Sequence, residues 1–189
     1  MVSLSGWIIM KSNTRNVVIL SPCILSPGLQ AERKQGVHWG TQFIELLLSY
    51  GIDFYILPCP ESTFGGYALG LQRGKHGIDY YNCLNGYLSH CSNQAEKVAE
   101  DIISMHIAGC HFVCILGIEH SPTCAVNYMY SHKGMIKRRG IFFDALHNEL
   151  EKNKLKIPQI GINRTYPKKA LALLEQALSC TNRDLIEGG

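Results

Sequence analysis

Short runs of apolar, β-type residues alternate with helical patterns along this 189-residue chain. The strand-like runs span residues 17–20, 52–57, 112–118 and 159–162, and the helical patterns span residues 38–50, 93–108, 141–150 and 167–178. Strand–helix–strand alternation favours right-handed crossovers, which place the strands in parallel and the helices on both faces of the sheet. We therefore expect a single α/β domain over residues 14–181, flavodoxin- or Rossmann-like, with strand order 2-1-3-4.

Two of the helical patterns carry boundary signals. Apolar residues recur three and four positions apart over residues 43–50, and Gly51 follows as a stop signal. Asn93 and Glu96 have the spacing of a capping box, which predicts that the second helix begins at residue 93.

The stretch over residues 62–91 fits neither the helical nor the strand period. It contains six glycines, with four tyrosines among them: Tyr67, Tyr80, Tyr81 and Tyr87. A long irregular stretch inside a compact domain is typical of a functional flap. We expect at least one of these tyrosine rings to lie over a ligand-binding cleft, where it can stack on a planar heterocycle.

The composition excludes several classes of protein. Hydrophobic residues make up 46% of the chain and charged residues 17%, which excludes global disorder. The formal net charge of +3 is far below that of a dedicated nucleic-acid binder, so nucleic acid is not an expected partner. No apolar run approaches the ~18 residues that a membrane span requires.

Eight cysteines are the strongest compositional signal. A secreted, disulfide-rich protein would be rich in loops and would begin with a signal peptide, whereas residues 1–10 are apolar with no basic residue before Lys11. We therefore expect free thiols and a cytoplasmic location. The chain contains no Cys-x-x-Cys pair, which argues against zinc fingers and dithiol redox motifs.

Three of the cysteines follow predicted strands. Cys23 comes after the first strand, Cys59 after the second and Cys124 after the third, and each has a proline within two residues. Because parallel strands end at the same edge of a sheet, these thiols can converge where ligands bind in such folds. Three soft thiolates suit zinc, copper(I) or an iron–sulfur cluster. The alternative is that they are ordinary buried cysteines at strand ends.

The motifs around these cysteines resemble those of the TudS-type 2-thiouracil desulfurase family. The matching segments are Ser21-Pro22-Cys23, Cys59-Pro60-Glu61 with Gly65-Gly66, Ser121-Pro122-Thr123-Cys124, and Gly140-Ile141-Phe142 before a helix that contains Leu146. The resemblance covers roughly residues 16–163 and implies that Cys23, Cys59 and Cys124 hold a [4Fe–4S] cluster. It also implies that one iron stays open to bind the sulfur of a small thiocarbonyl substrate, such as a thiolated nucleobase. A cluster of this kind is easily lost in air.

Two further residues are candidates for the chemistry. Glu61 stands two positions after Cys59 and could accept a proton from an attacking water, or it could cap a turn or a helix. Ser121 could bind the substrate or a cluster sulfide, or it could form the turn before Pro122. The neighbouring Glu119 and His120 have no assigned role.

The resemblance therefore leads to an expected iron–sulfur-dependent enzyme that desulfurates a thiocarbonyl compound without redox change. Two alternatives stay open. One is a metal- or sulfur-binding module without turnover. The other is a nucleotide-processing α/β hydrolase or transferase that uses Glu61 and does not need the cysteines.

Overall fold

A parallel sheet of four strands forms the centre of the molecule. The structure, a computed structural model, describes residues 15–26, 39–65 and 77–187. The sheet strands are β1 (Arg15–Leu20), β2 (Asp53–Ile56), β3 (Cys110–Ile118) and β6 (Gln159–Ile162). Their order is β2-β1-β3-β6 and every pair is parallel, which confirms the expected 2-1-3-4 arrangement of the sheet strands.

Helices cover both faces of this sheet, as the alternating pattern predicted. On one face, α1 (Thr41–Ser49) and α6 (Lys168–Glu187) pack against a buried apolar cluster that includes Val18 and Leu116. On the other face, α4 (Tyr87–Ile107) and α5 (Ile141–Lys152) enclose a second apolar cluster. Among the helices of the described residues, none is both long and apolar enough to cross a membrane.

The expectation of an irregular flap over residues 62–91 is wrong for the helical parts of that stretch, at residues 62–65, 78–83 and 87–91. Residues 60–65 form α2 (Pro60–Gly65), and residues 78–83 form α3 (Ile78–Cys83). Helix α4 begins at Tyr87, so the expected start at residue 93 is also wrong. The reason is that Tyr87 and Cys91 extend the buried face of the helix by one and a half turns, and Gly86 before them takes a left-handed conformation.

The tyrosines of this stretch do not form a lid in the part that the structure describes. Tyr81 and Tyr87 are fully buried in the core between the sheet and α4, and Tyr80 is half-buried. Their rings pack edge-on or tilted against each other at centroid distances of 5.2–5.3 Å. Residues 66–76, including Gly66 and Tyr67, lie outside the described residues.

A small antiparallel hairpin, not expected from the sequence, follows the sheet's third strand. It consists of β4 (Tyr128–Ser131) and β5 (Gly134–Lys137). Met129 on its inner face is buried against Ile78 and Ala125. The hairpin therefore has its own small apolar cluster and is fixed beside the loop that contains Cys124.

Candidate functional site

The three cysteines that follow strands lie at one edge of the sheet. Cys23 is in a short 3-10 helix (Pro22–Ile24) directly after β1, and Cys59 lies between β2 and α2. Cys124 is in the loop after β3. Because β1 is hydrogen-bonded to both β2 and β3, the three loops are neighbours at the carboxyl ends of adjacent parallel strands.

Burial and neighbouring negative charges both act on the thiols of Cys23 and Cys124. Burial raises the pKa of Cys23 to about 12, with further contributions from the charges of Cys59 and Glu61. Burial also raises the pKa of Cys124 well above its usual value, and Cys23, Cys59 and Glu61 add to that shift. In the absence of a cation, Cys23 and Cys124 therefore stay protonated at neutral pH, because a thiolate there would be desolvated and would face other negative charges.

The three thiols are soft sulfur donors, the class of ligand that an iron–sulfur group takes. Among the described residues, no group of three or more His, Cys, Asp or Glu side chains is placed to hold a metal ion. The ligand sulfurs of a [4Fe–4S] cluster stand farther apart, roughly 6–7 Å, because each binds a different iron. The three thiols supply soft sulfur ligands from three separate loops, which is the chemistry that such a cluster requires.

A buried hydroxyl next to Cys23 also fits a bound group. Ser21 is fully buried at the end of β1, and its Oγ has no hydrogen-bond partner among the described residues. A buried polar atom without a partner is costly, and a ligand in the site would be able to satisfy it. The backbone N–H of Ser21 is bonded to Leu116 O at 3.0 Å, which fixes this residue between β1 and β3.

The Glu61 carboxylate is connected to the core by a short chain of hydrogen bonds. Thr123 Oγ1 donates to Glu61 Oε1 at 2.8 Å, and the Tyr87 hydroxyl lies 2.8 Å from Thr123 Oγ1. Thr123 and Tyr87 are fully buried, whereas Glu61 is half-buried in the first turn of α2. The carboxylate thus lies at the junction of α2, α4 and the loop after β3.

Ser121 has a clear structural role in the loop that contains Cys124. Its Oγ accepts hydrogen bonds from the backbone N–H groups of Thr123 and Cys124, at 3.2 and 3.0 Å. These bonds form the turn that was the alternative interpretation of this serine. They use the oxygen as acceptor and leave the hydroxyl proton able to donate, so a role toward a ligand stays a prediction.

Glu119 and His120 join the site loop to the hairpin. Glu119 is buried, and its carboxylate accepts hydrogen bonds from Asn127 Nδ2 at 2.7 Å and from the backbone N–H of Tyr128 at 2.9 Å. His120 has a left-handed backbone conformation (φ +69°), and its ring lies 5.1 Å from that of Tyr130. Glu119 is therefore a structural residue that holds the chain reversal after β3.

Two residues of this region carried no signal for the site in the sequence. Cys91 belongs to none of the motifs around the site, yet it is buried on α4. Burial raises its pKa to about 12, with Glu61 and Cys59 adding to the shift and a hydrogen bond with Tyr87 opposing it. Arg164 follows β6, and its charge lowers the pKa of Cys23. Both are brought to the site by strand order and helix packing, so no local motif could have identified them.

Close packing around Gly140 makes the loop that contains Cys124 sensitive to a single methyl group. A Cβ on Gly140 would overlap the backbone of Thr123 and of Cys124. We expect Gly140→Ala to destabilise the fold by about 1–3 kcal/mol, the usual cost of overpacking, measured as the free energy of unfolding in urea. Gly51→Asn is the control, because Gly51 has open space and a positive φ that asparagine tolerates. An unchanged stability in Gly140→Ala would contradict this packing.

Comparisons with known proteins agree with this architecture. No family model and no curated protein matches the chain. The fold is similar to a solved structure of TudS, a [4Fe–4S]-dependent thiouracil desulfidase, with a TM-score of 0.50 and 18% sequence identity over 84% of this chain and 98% of that one. The chain therefore has the α/β fold of TudS.

Proposed function

We propose that this protein desulfurates a small thiocarbonyl compound at a [4Fe–4S] cluster held by Cys23, Cys59 and Cys124. The observation that carries the proposal is that Cys23, Cys59 and Cys124 follow three adjacent parallel strands. The pKa values of Cys23 and Cys124, which Cys59 and Glu61 help to raise, support it. The TudS-like fold supports it, since the similar structure is that of a [4Fe–4S]-dependent thiouracil desulfidase.

The overall reaction is a hydrolysis without net oxidation or reduction. The carbon–sulfur double bond of the substrate is replaced by a carbon–oxygen double bond from water, and the sulfur leaves with the two protons of that water as hydrogen sulfide. When bound, the cluster would supply an open iron that acts as a Lewis acid toward the substrate sulfur.

The residues of the chain supply binding geometry and proton transfer. Glu61 would accept a proton from the attacking water, a step that typically contributes about 10²–10⁴-fold to a rate. Glu61 is half-buried in the first turn of α2, two residues after Cys59 in the sequence. Ser121 would donate its hydroxyl proton to the substrate while its oxygen holds the loop of Cys124.

The expected substrate is a planar, thiolated heterocycle in the size range of a nucleobase. Arg164 places a positive charge near Cys23, which favours an electron-rich or anionic thiocarbonyl group over a cationic one. The substrate ring would lie between the strand ends and the hairpin of β4 and β5, which is held beside the loop of Cys124 by Glu119.

The proposal is tested on protein purified without oxygen. We expect a brown protein with about four iron and four sulfide per chain that releases sulfide from 2-thiouracil or a related thiolated base. Bound iron without sulfide release from any thiolated base would favour a binding module without turnover. Hydrolysis or transfer on nucleotides by iron-free protein would favour the alternative in which the cysteines are not needed.

A further inference from the structure

We propose that Thr123 and Tyr87 are positioning residues that hold the Glu61 carboxylate in its working orientation. This inference rests on the proposed function of Glu61 as proton acceptor. Its basis is the pair of 2.8 Å contacts, from Tyr87 to Thr123 and from Thr123 to Glu61. The motif Ser-Pro-x-Cys leaves the residue at the third position open, and Thr123 occupies it.

The direction of each hydrogen bond follows from the chemistry of the groups. An ionised carboxylate only accepts, so Thr123 gives its single hydroxyl proton to Glu61. The Thr123 oxygen can then only accept at its other contact, and Tyr87 must be the donor there. The two hydrogen bonds therefore run in series toward the carboxylate, with each proton donated in its direction. In such a series each hydrogen bond polarises the next.

The two hydroxyls are fixed by the parts of the fold that surround them. The carbonyl of Thr123 accepts the backbone N–H groups of Phe142 and Phe143 at 3.1 and 3.2 Å, at the start of α5. The Tyr87 ring is fully buried and packs against Phe64 at a centroid distance of 5.2 Å. Neither residue can move without disturbing packed elements, so the Glu61 oxygen that Thr123 binds is held in one place.

The arrangement removes three polar groups from water, which carries a desolvation cost. It places a phenol, a hydroxyl and a half-buried carboxylate in a region where apolar residues would pack more simply. Its benefit arises at the site, because a base must lie within hydrogen-bond reach of the water that it deprotonates. The branched Cβ of threonine restricts χ1, which limits the positions that its hydroxyl can take.

The first test uses the cluster-loaded protein and variants that remove one donor at a time. Thr123→Val keeps the shape of the side chain but loses the proton, and we expect kcat to fall about 10–10²-fold, the effect of losing one hydrogen bond to a charged group. KM and iron content should stay close to those of the wild type. Thr123→Ser is the matched control, and it should recover most of kcat because it restores the hydroxyl.

Tyr87→Phe tests the order of the two hydrogen bonds, from Tyr87 to Thr123 and from Thr123 to Glu61. It should lower kcat less than Thr123→Val, since Thr123 can still donate to Glu61. In a Thr123→Val background it should have no further effect on kcat, because the tyrosine reaches Glu61 only through the threonine. If the two substitutions lowered kcat by independent factors that multiply, the hydrogen bonds would not act in series.

A second readout uses the metal-free chain and does not depend on activity. The equilibrium constant for unfolding is measured for Thr123→Val, Glu61→Ala and the double variant. We expect non-additivity of about 10-fold, because the threonine loses its favourable contact once the carboxylate is gone. Additive effects, or a Thr123→Ser variant no better than Thr123→Val, would overturn the positioning role. If the variants show this coupling but the wild-type protein releases no sulfide, the proposed function is rejected and the contact between Thr123 and Glu61 is still established.

Discussion

Replacing Cys124 with alanine is expected to remove the iron–sulfur group and all sulfide release. Cys124 lies in the loop after β3, and its thiol is buried with Cys23, Cys59 and Glu61 close enough to raise its pKa. With one of three ligands gone, the two remaining thiols cannot hold a cubane cluster against solvent. Iron per chain should fall from about four to below about one, and sulfide release should fall to the background rate.

The matched control for this experiment is Cys114→Ala. Cys114 is also buried, and burial alone raises the pKa of its thiol to about 12, but it packs in the apolar cluster under α1 and α6. This variant should lose some stability through the small cavity and keep the iron of the wild type. Wild-type iron content in Cys124→Ala would reject the three-cysteine site. The measurements are iron and sulfide per chain beside sulfide release.

Replacing Glu61 with glutamine is expected to separate binding from turnover. Glutamine keeps the shape of the side chain, and its carbonyl can still accept the hydrogen bond from Thr123. It cannot take a proton from water, so kcat should fall about 10²–10⁴-fold while KM changes only a few-fold. Iron content should match that of the wild type, because none of the three thiols is touched.

Glu149→Gln is the control for the loss of a carboxylate elsewhere. Glu149 lies on α5, is partly buried and pairs with Lys152 at the surface, so its substitution should leave iron content and kcat unchanged. Steady-state kinetics of sulfide release and an iron assay on both variants decide the matter. Turnover by Glu61→Gln at the wild-type rate would exclude this residue as the base.

The core of the fold was predictable because the signals for it are local. Each sheet strand lies in a short run of β-type residues that is followed by a helical pattern, so the parallel sheet and its strand order could be inferred from the alternation. The same logic predicted that Cys23, Cys59 and Cys124 follow neighbouring strand ends. It failed for residues 78–83 and 87–91, where the nearby glycines suggested irregular backbone although the chain is helical there.

One irregularity in the sheet shows why side-chain direction was harder to predict. The register between β1 and β3 shifts between Val17 and Val18, so Val113 has no partner and the strand bulges there. As a result, Val113 and Cys114 both pack into the cluster that contains Val18, although they are adjacent in the strand. A regular strand alternates between faces, and only the pairing with β1 reveals the bulge.

The sequence by itself determined the parallel sheet and the three thiols at its edge, because a strand, a turn residue and a cysteine are neighbours in the chain. Only the tertiary structure decided what surrounds those thiols. Glu61 and Thr123 are 62 residues apart, and Thr123 and Tyr87 are 36 residues apart, yet their side chains are hydrogen-bonded. Such contacts leave no periodic or spacing signal, since they arise from the packing of α2 and α4 against the loop after β3.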